Sequence, residues 1–78
     1  MGLTLVSRAD CELCVRFLEQ LELLRARAPI PVVDVVDVDS DESLQRRWGL
    51  KVPVLLLDGA RVCGPTLDAG ELLRLLRL

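Results

Sequence analysis

The residues with the clearest capacity for chemistry are Cys11 and Cys14, two cysteines separated by a Glu-Leu pair. On a helix this spacing places the two thiols one turn apart, so that one can attack a mixed disulfide formed on the other. The same spacing supplies half of a zinc site, but zinc takes four ligands, and beyond the pair the chain offers only Cys63 and no histidine. A third interpretation is two incidental small residues at a helix start. The pattern favours thiol–disulfide exchange over both alternatives.

Cys11 is predicted to be the attacking thiol, because it lies where the first predicted strand ends and the first predicted helix begins. Backbone N–H groups without helical partners, together with the helix dipole, favour a thiolate at that position. Cys14 lies one turn further along and is predicted to resolve the mixed disulfide. We therefore expect the oxidised protein to carry a Cys11–Cys14 disulfide and to leave Cys63 as a thiol.

Charged residues of both signs surround the pair. Arg8 precedes Cys11 in the connecting loop, and Arg16 falls in the second turn of the helix. Either guanidinium could stabilise a thiolate or bind a substrate carboxylate, and the alternative for both is an ordinary solvated arginine. Asp10 and Glu12 act in the opposite direction, because a neighbouring carboxylate disfavours the thiolate. On balance we expect the pKa of Cys11 to lie below that of a free thiol.

Hydrophobic spacing and turn residues predict seven elements in the order β-α-β-α-β-β-α. The predicted strands and the first helix have the bounds Leu3–Ser7, Cys11–Ala28, Val32–Val38, Val52–Leu57 and Ala60–Cys63. An apolar stripe along that helix is predicted to face the core; its members are Cys14, Phe17, Leu18, Leu21, Leu24 and Ala28.

The other two helices are recognised mainly from their caps. Asp39 or Ser40 is predicted to cap the second helix, which ends near Trp48. Thr66 or Asp68 is predicted to cap the last helix.

The element order predicts an α/β protein with a four-stranded mixed sheet covered by helices, which is the architecture of the thioredoxin-like fold. The first two strands flank a helix and are therefore expected to be parallel, with a right-handed crossover. Asp58-Gly59 predicts a hairpin between the last two strands. Asp34 breaks the alternation of the second strand and indicates an edge position, whereas Val52–Leu57 is apolar enough to be central. The 78 residues form one predicted domain, 1–78.

Composition excludes several classes of protein. With 51% hydrophobic residues the chain is not a disordered polar segment, and its longest apolar run is too short to span a membrane. The net charge of −2 and the scattered arginines argue against nucleic-acid binding. Arg8, Asp10 and Glu12 interrupt the apolar core that a signal peptide would need, so a cytoplasmic location is expected.

Val52-Pro53 is the second informative point of the sequence. Proline at the start of a strand is tolerated by the hydrogen-bond ladder, and the simplest interpretation is that Pro53 only begins the strand. In the predicted fold we instead expect a cis peptide bond that faces the cysteine pair. It would present the backbone of Val52 to an extended substrate.

Taken together, these motifs make the whole chain resemble the glutaredoxins, especially the small bacterial glutaredoxin-like proteins. The matching segments are residues 7–14, Val52-Pro53 with Asp58, and residues 64–68. The resemblance implies thiol–disulfide exchange, with Arg8 meeting the glycine carboxylate of glutathione and Val52 pairing with its cysteine. It also implies that Gly64, Thr66 and Asp68 contribute to substrate binding.

The sequence departs from the glutaredoxin pattern at several positions. Glu12 and Leu13 replace the usual proline and aromatic residue, and Lys51 replaces the threonine before Val-Pro. Cys63 stands where the pattern has glycine, and the acidic Asp68 comes one position late. A side chain at position 63 is expected to occupy space that the ligand needs. We therefore expect poor binding of glutathione, which is kept as an optional co-substrate.

The sequence thus predicts a monomeric cytoplasmic thiol–disulfide oxidoreductase of glutaredoxin-like type, without cofactor or metal. Its expected partner is a disulfide-containing protein or a small-molecule thiol, and neither a nucleic acid nor a membrane. One alternative is a thioredoxin-like reductant that takes its electrons from protein thiols. Another is a non-catalytic adaptor, or a metal or iron–sulfur carrier, on the same fold.

Overall fold

The computed structural model describes residues 2–78 and contains four strands and three α-helices. The strands are β1 (Leu3–Ser7), β2 (Val33–Asp37), β3 (Val54–Leu57) and β4 (Ala60–Cys63), and the helices are α1 (Glu12–Arg25), α2 (Glu42–Trp48) and α3 (Ala69–Leu76). A 3₁₀ turn, Val38–Ser40, joins β2 to α2. The predicted element order and α/β class are confirmed.

The strands form one mixed sheet in the order β2-β1-β3-β4. β1 pairs with β2 in parallel and with β3 in antiparallel, and β3 pairs with β4 in antiparallel. The β3–β4 hairpin turns at Asp58 and Gly59, whose φ angles of 50° and 86° are both positive, as a two-residue hairpin requires. The predicted edge position of β2 and interior position of β3 are confirmed.

Apolar side chains pack on both faces of the sheet. The larger core lies beneath α1 and α3 and contains Leu3, Leu5, Phe17, Leu21, Ile30, Leu55, Val62, Cys63, Leu72 and Leu76. The smaller core lies on the opposite face, beneath α2, and contains Val6, Val38, Trp48, Val54 and Leu56. The sheet is therefore the middle of three layers. Within residues 2–78 every helix is too short or too polar to cross a membrane.

Several predicted element ends differ from the structure: β2 is one residue shorter at each end, and α1 begins at Glu12 and not at Cys11. The first helix ends at Arg25 and not at Ala28, because the regular hydrogen-bond pattern is lost after Ala26: the N–H groups of Arg27 and Ala28 both bond to the carbonyl of Leu24. The third strand begins at Val54 and not at Val52, so that Val52 and Pro53 precede the ladder.

One predicted helix cap is wrong, and at the last helix the structure selects one of the two predicted residues. Asp41 caps α2 in place of Asp39 or Ser40, because those two residues belong to the 3₁₀ turn. At the last helix, Asp68 and not Thr66 is the cap.

The strand register brings three chain segments to one end of the sheet. Val6, near the end of β1, is paired with Val54, the first residue of β3. The loop that leads from β1 to Cys11 therefore starts beside Pro53. Cys63 is paired with Leu55, so the end of β4 reaches the same end of the sheet.

Candidate active site

Cys11 and Cys14 form a disulfide at the start of α1, with their Cα atoms 5.2 Å apart. Cys11 is the N-cap residue and has an extended backbone, with φ −108° and ψ 105°. Its Sγ accepts a hydrogen bond from the backbone N–H of Cys14 at 3.1 Å. Cys11 is partly exposed, whereas Cys14 is only 5% exposed. Cys11 is therefore more accessible to solvent than Cys14, as the sequence predicted for the attacking and the resolving cysteine.

The cap position gives the Cys11 sulfur an electrostatic environment that suits negative charge. The first backbone N–H groups of α1 point toward the cap, and a helix of 14 residues directs the positive end of its dipole there. A thiolate at this position would keep the Cys14 N–H as a hydrogen-bond donor, and hydrogen bonds to an ionised acceptor are stronger than those to a neutral one. Both effects lower the pKa of a thiol.

Arg8 is held by Asp39, a residue that the sequence analysis did not connect with it. The guanidinium donates to both carboxylate oxygens, Nε to Oδ2 at 3.0 Å and Nη2 to Oδ1 at 3.2 Å. Gln45 also donates to Oδ1 of Asp39, at 3.3 Å. The hydrogen bond from Arg8 lowers the pKa of the Asp39 carboxyl, and the same bond raises the pKa of Arg8. Arg8 therefore has a carboxylate partner of its own within the fold.

Arg16 is engaged in a similar way within α1. Its Nη2 lies 3.2 Å from Oε1 of Glu12, one helical turn earlier, and both side chains are exposed. Of the two carboxylates expected to oppose the Cys11 thiolate, Glu12 is therefore paired with Arg16. Asp10 is exposed and has a positive φ of 56° in the turn before Cys11.

The Val52–Pro53 peptide bond is cis, the isomer expected from the fold and the resemblance. Pro53 is fully buried, and Val52 is half-buried. Gly64 packs directly against this segment, because a Cβ at position 64 would overlap the carbonyl oxygen of Pro53. Its φ of +154° also disfavours any other residue. Gly64 therefore fixes the end of β4 against the segment that precedes β3.

An open groove of about 670 Å³ runs between these segments. Its lining residues are Leu13, Leu50, Lys51, Val52, Arg61, Gly64 and Pro65. Leu13 lies between the two cysteines, so the groove begins beside the disulfide. Five lining residues were missed as site residues; they are Leu13, Leu50, Lys51, Arg61 and Pro65. The sequence of the last strand held a signal for Arg61, because a charged residue next to apolar Val62 indicates a side chain that faces solvent. The structure shows Arg61 exposed and Val62 buried.

Thr66 and Asp68 border a separate, adjoining depression that shares Arg61 and Gly64 with the groove. The Asp68 carboxylate caps α3 and accepts a hydrogen bond from the Glu71 N–H at 3.0 Å. Thr66 is exposed. Thr66 and Asp68, which were predicted to contribute to substrate binding, therefore lie near the groove, but Asp68 has a structural partner.

Cys63 lies in the larger core and is 5% exposed, although it also borders that depression. Its Sγ accepts a hydrogen bond from the Asp68 N–H at 3.4 Å, and burial raises the pKa of the thiol. The expectation that its side chain crowds glutathione stays a prediction: Cys63 borders the depression, whereas the wall of the groove at this point is Gly64. Within residues 2–78 no cluster of three His, Cys, Asp or Glu side chains is arranged to hold a metal ion.

Comparison with protein families and solved structures gives a consistent result. The profile of the Glutaredoxin-like domain (DUF836) family matches residues 2–77. A structural-genomics target protein from X. campestris superposes with a TM-score of 0.74 and 36% sequence identity, over 97% of this chain and 96% of that one. The holo form of glutaredoxin C1 from populus tremula x tremuloides gives a TM-score of 0.51 at 24% identity, over 81% and 65% of the two chains. This last likeness supports the glutaredoxin and thioredoxin fold.

Curated relatives occur in mycobacteria. Uncharacterised proteins of Mycobacterium bovis and Mycobacterium tuberculosis are 37% identical over 59 residues, which is 70% of this chain. The matched region covers 61% of the length of these relatives.

Proposed function

The chain belongs to the glutaredoxin-like domain family, and from that membership we propose that it is a thiol–disulfide oxidoreductase acting through Cys11 and Cys14. The observation that carries the proposal is the position of the Cys11 sulfur. It caps α1, accepts the Cys14 N–H and is partly exposed beside an open groove. Backbone donors and solvent access are what a nucleophilic thiolate requires.

In the proposed reaction the reduced protein is the two-electron donor. The Cys11 thiolate attacks one sulfur of the substrate disulfide, forms a mixed disulfide and releases the other sulfur as a thiolate that takes up a proton. Cys14 then loses its proton and attacks the Cys11 sulfur, which releases the second substrate thiol. The products are two substrate thiols and the Cys11–Cys14 disulfide. An external dithiol or thiol pair must reduce that disulfide before the next cycle.

The remaining site residues are proposed to hold the substrate. The backbone of Val52 pairs with the substrate next to its reacting sulfur, and Gly64 forms the wall of the groove where it packs against Pro53. Thr66 and Asp68 extend the binding surface into the adjoining depression. Arg8 contributes through its charge, reduced by its pairing with Asp39. We further propose that the protein acts as a monomer in the cytoplasm, on a protein disulfide or a small-molecule thiol.

The test is a pair of turnover assays, one coupled to glutathione and its reductase and one coupled to thioredoxin reductase. Wild type is compared with Cys11→Ser, Cys14→Ser and Cys63→Ser. We expect Cys11→Ser to abolish turnover in whichever assay the wild type supports, because the nucleophile is lost. Cys14→Ser should stop after a mixed disulfide has formed on Cys11.

Cys63→Ser is the matched control, since it removes a buried thiol outside the groove and should keep most of the activity. Circular dichroism checks that each variant is folded. Turnover that survives Cys11→Ser, or a wild type inactive in both assays, would contradict the proposed function.

A further inference from the structure

The groove beside the disulfide exposes large apolar side chains. Leu50 is fully exposed, and Leu13 is 54% exposed although it lies between the two cysteines. Val52 and Pro65 continue this apolar surface along the groove. Large apolar side chains that meet at a concave surface mark a site at which a partner buries them.

The charges that line the groove all have one sign. Lys51 and Arg61 are its charged residues, and no carboxylate belongs to the lining. Within residues 2–78 neither of them forms a salt bridge, whereas Arg8, Arg16 and three other arginines do so. The protein as a whole has a formal charge of −2, so this positive surface stands out against a negative background.

Both cations are also held in place. Arg61 donates from Nη2 to the carbonyl of Gly64 at 2.9 Å, which directs the guanidinium along the groove wall. The Nζ atom of Lys51 lies 5.8 Å from the centre of the Trp48 ring, within the range of a cation–π contact. Side chains that are already ordered lose less entropy when they bind an anion.

We propose that the groove selects, as its substrate, a disulfide-bonded cysteine in an acidic protein segment that carries an apolar residue next to that cysteine. This inference rests on the proposed function and specifies its substrate. The apolar neighbour covers Leu13 and Leu50, and the acidic residues meet Lys51 and Arg61. Complementary charge raises the rate of productive encounter and suppresses partners of the wrong sign.

Glutathione satisfies only one part of this description. It is anionic and would be attracted to Lys51 and Arg61, but it has no apolar side chain with which to cover Leu50. A protein segment can do both. The groove therefore distinguishes the two substrates by apolar contact, and it distinguishes acidic from basic segments by charge.

The test measures single-turnover reduction of synthetic peptide disulfides by the fully reduced protein, with quenching by alkylation and analysis by mass spectrometry. Each peptide has one cysteine linked to 2-mercaptoethanol, so that reduction yields the peptide thiol, 2-mercaptoethanol and oxidised protein. Three peptides carry Leu beside the cysteine and Glu, Gln or Lys at the flanking positions. A fourth replaces Leu by Ser in the Glu peptide, and 2-hydroxyethyl disulfide is the neutral reference.

At low ionic strength we expect the Glu peptide to react about tenfold faster than the Lys peptide, and the advantage should shrink in about 0.5 M salt. Replacing Leu by Ser in the Glu peptide should slow reaction about fivefold. The double variant K51E/R61E should invert the order of the Glu and Lys peptides. The variant L50S should remove the advantage of the Leu peptide.

Matched controls lie outside the groove. R27E/R77E changes the net charge by the same amount, at two arginines that form no salt bridge within residues 2–78, and should keep the order of the peptides. L23S alters a leucine of α1 that is 70% exposed, and it should keep the advantage of the Leu peptide.

The outcomes separate the inference from the proposed function. If wild type reduces 2-hydroxyethyl disulfide but treats the Glu and Lys peptides alike, the inference is overturned and the function stands. Faster reduction of glutathione disulfide than of the Glu peptide also overturns it. If wild type reduces no disulfide at all, both fail. Inversion of the peptide order by K51E/R61E but not by R27E/R77E supports the inference.

Discussion

Two sets of charged side chains belong to the candidate site, and they differ in whether the fold already uses them. The first set, Arg8, Arg16 and Asp68, is engaged by a salt bridge to Asp39, a salt bridge to Glu12 and the cap of α3, respectively. The second set, Lys51 and Arg61, forms no salt bridge within residues 2–78 and lines the groove. Arg8 and Arg16 were identified by their closeness to the cysteines in sequence, and Asp68 by the resemblance to the glutaredoxins. Availability for a substrate identifies the second set.

The difference follows from where the partners come from. Asp39 is 31 residues from Arg8 and reaches it only because parallel pairing of β1 and β2 brings the ends of both strands together. Within residues 2–78 no acidic residue forms a salt bridge with Lys51 or Arg61. The tertiary structure, and not the residue type, thus decides which cation remains able to bind an anion.

The largest effect is expected from Gly64→Ala, which should disrupt the second set. The new Cβ would overlap the carbonyl oxygen of Pro53, and a φ of +154° is strained for alanine. We expect a loss of about 2–4 kcal/mol in the free energy of unfolding, measured by urea denaturation. Because Arg61 donates to the Gly64 carbonyl, the groove should also lose its selectivity for acidic peptides.

Gly59→Ala is the matched control for this prediction. Gly59 also has a positive φ, of 86°, but a Cβ there would meet nothing within 4 Å. It should cost about 1 kcal/mol, the backbone effect alone. Equal losses for the two variants would show that the contact with Pro53 contributes nothing.

The same contrast between engaged and available groups applies to the thiols. In reduced protein at pH 8 we expect iodoacetamide to modify Cys63 at least about tenfold more slowly than Cys11. Cys63 is 5% exposed, and burial raises the pKa of its thiol, so that its reactive thiolate forms only at higher pH. Mass mapping of timed samples measures both rates.

In urea the three cysteines should react at similar rates, which provides the control. The raised pKa has a second consequence, because burial of the protonated Cys63 stabilises the fold only while that thiol stays protonated. This contribution to stability should therefore decline as the pH rises through the raised pKa. Labelling of Cys63 as fast as Cys11 would contradict the buried position.

Substitution of Asp68 tests whether this member of the first set stabilises the fold as a helix cap. Asp68→Ala should destabilise the protein by about 1 kcal/mol, because the Glu71 N–H loses its acceptor at the start of α3. Asp68→Asn retains an oxygen at that position and should cost much less. Thermal or urea denaturation compares the two. If the asparagine variant is as unstable as the alanine variant, charge and not capping is the contribution of Asp68.

The fold was predictable from the sequence because local patterns and chain order agree. Apolar spacing placed the core-facing stripe of α1 correctly, from Cys14 through Leu21, and Asp58-Gly59 identified the hairpin. The element ends were less accurate where tertiary contacts override local preference. Val52, for example, is as suited to a strand as Val54, but it precedes the buried Pro53 and lies outside the ladder.

The cysteine pair and the Val52-Pro53 segment of the site were predictable from the sequence, whereas the pairing of its charged side chains was not. The spacing of Cys11 and Cys14 and the Val52-Pro53 pair are local features that need no knowledge of distant contacts. The pairing of Arg8 with Asp39 and the position of Arg61 beside Gly64 depend on strand order and register. The sequence alone does not show which of the nine arginines form salt bridges in the tertiary structure.

The smallest effect is expected from Asp39→Asn, which should move Arg8 from the first set into the second. Without the carboxylate, the guanidinium three residues before Cys11 is no longer neutralised, and a negative charge near the site is lost. Both changes favour the Cys11 thiolate. Because Arg8 and Asp39 are exposed, we expect only about twice as much thiolate at a pH near the midpoint of the titration. Thiolate absorbance of the reduced protein against pH measures it.

Glu42→Gln is the control, because Glu42 forms a comparable exposed ion pair with Arg46 on α2 and should leave the Cys11 titration unchanged. Acid provides a second readout. Arg8 lowers the pKa of Asp39, so the pairing stabilises the fold above the ordinary carboxyl pKa and is lost as the pH falls through the lowered value. Wild type and Asp39→Asn should therefore converge in stability at low pH. If Asp39→Asn leaves the Cys11 titration unchanged, Arg8 does not stabilise the thiolate even without its salt bridge to Asp39. Lys51 and Arg61 would then be the cations of the site that remain able to act on a substrate.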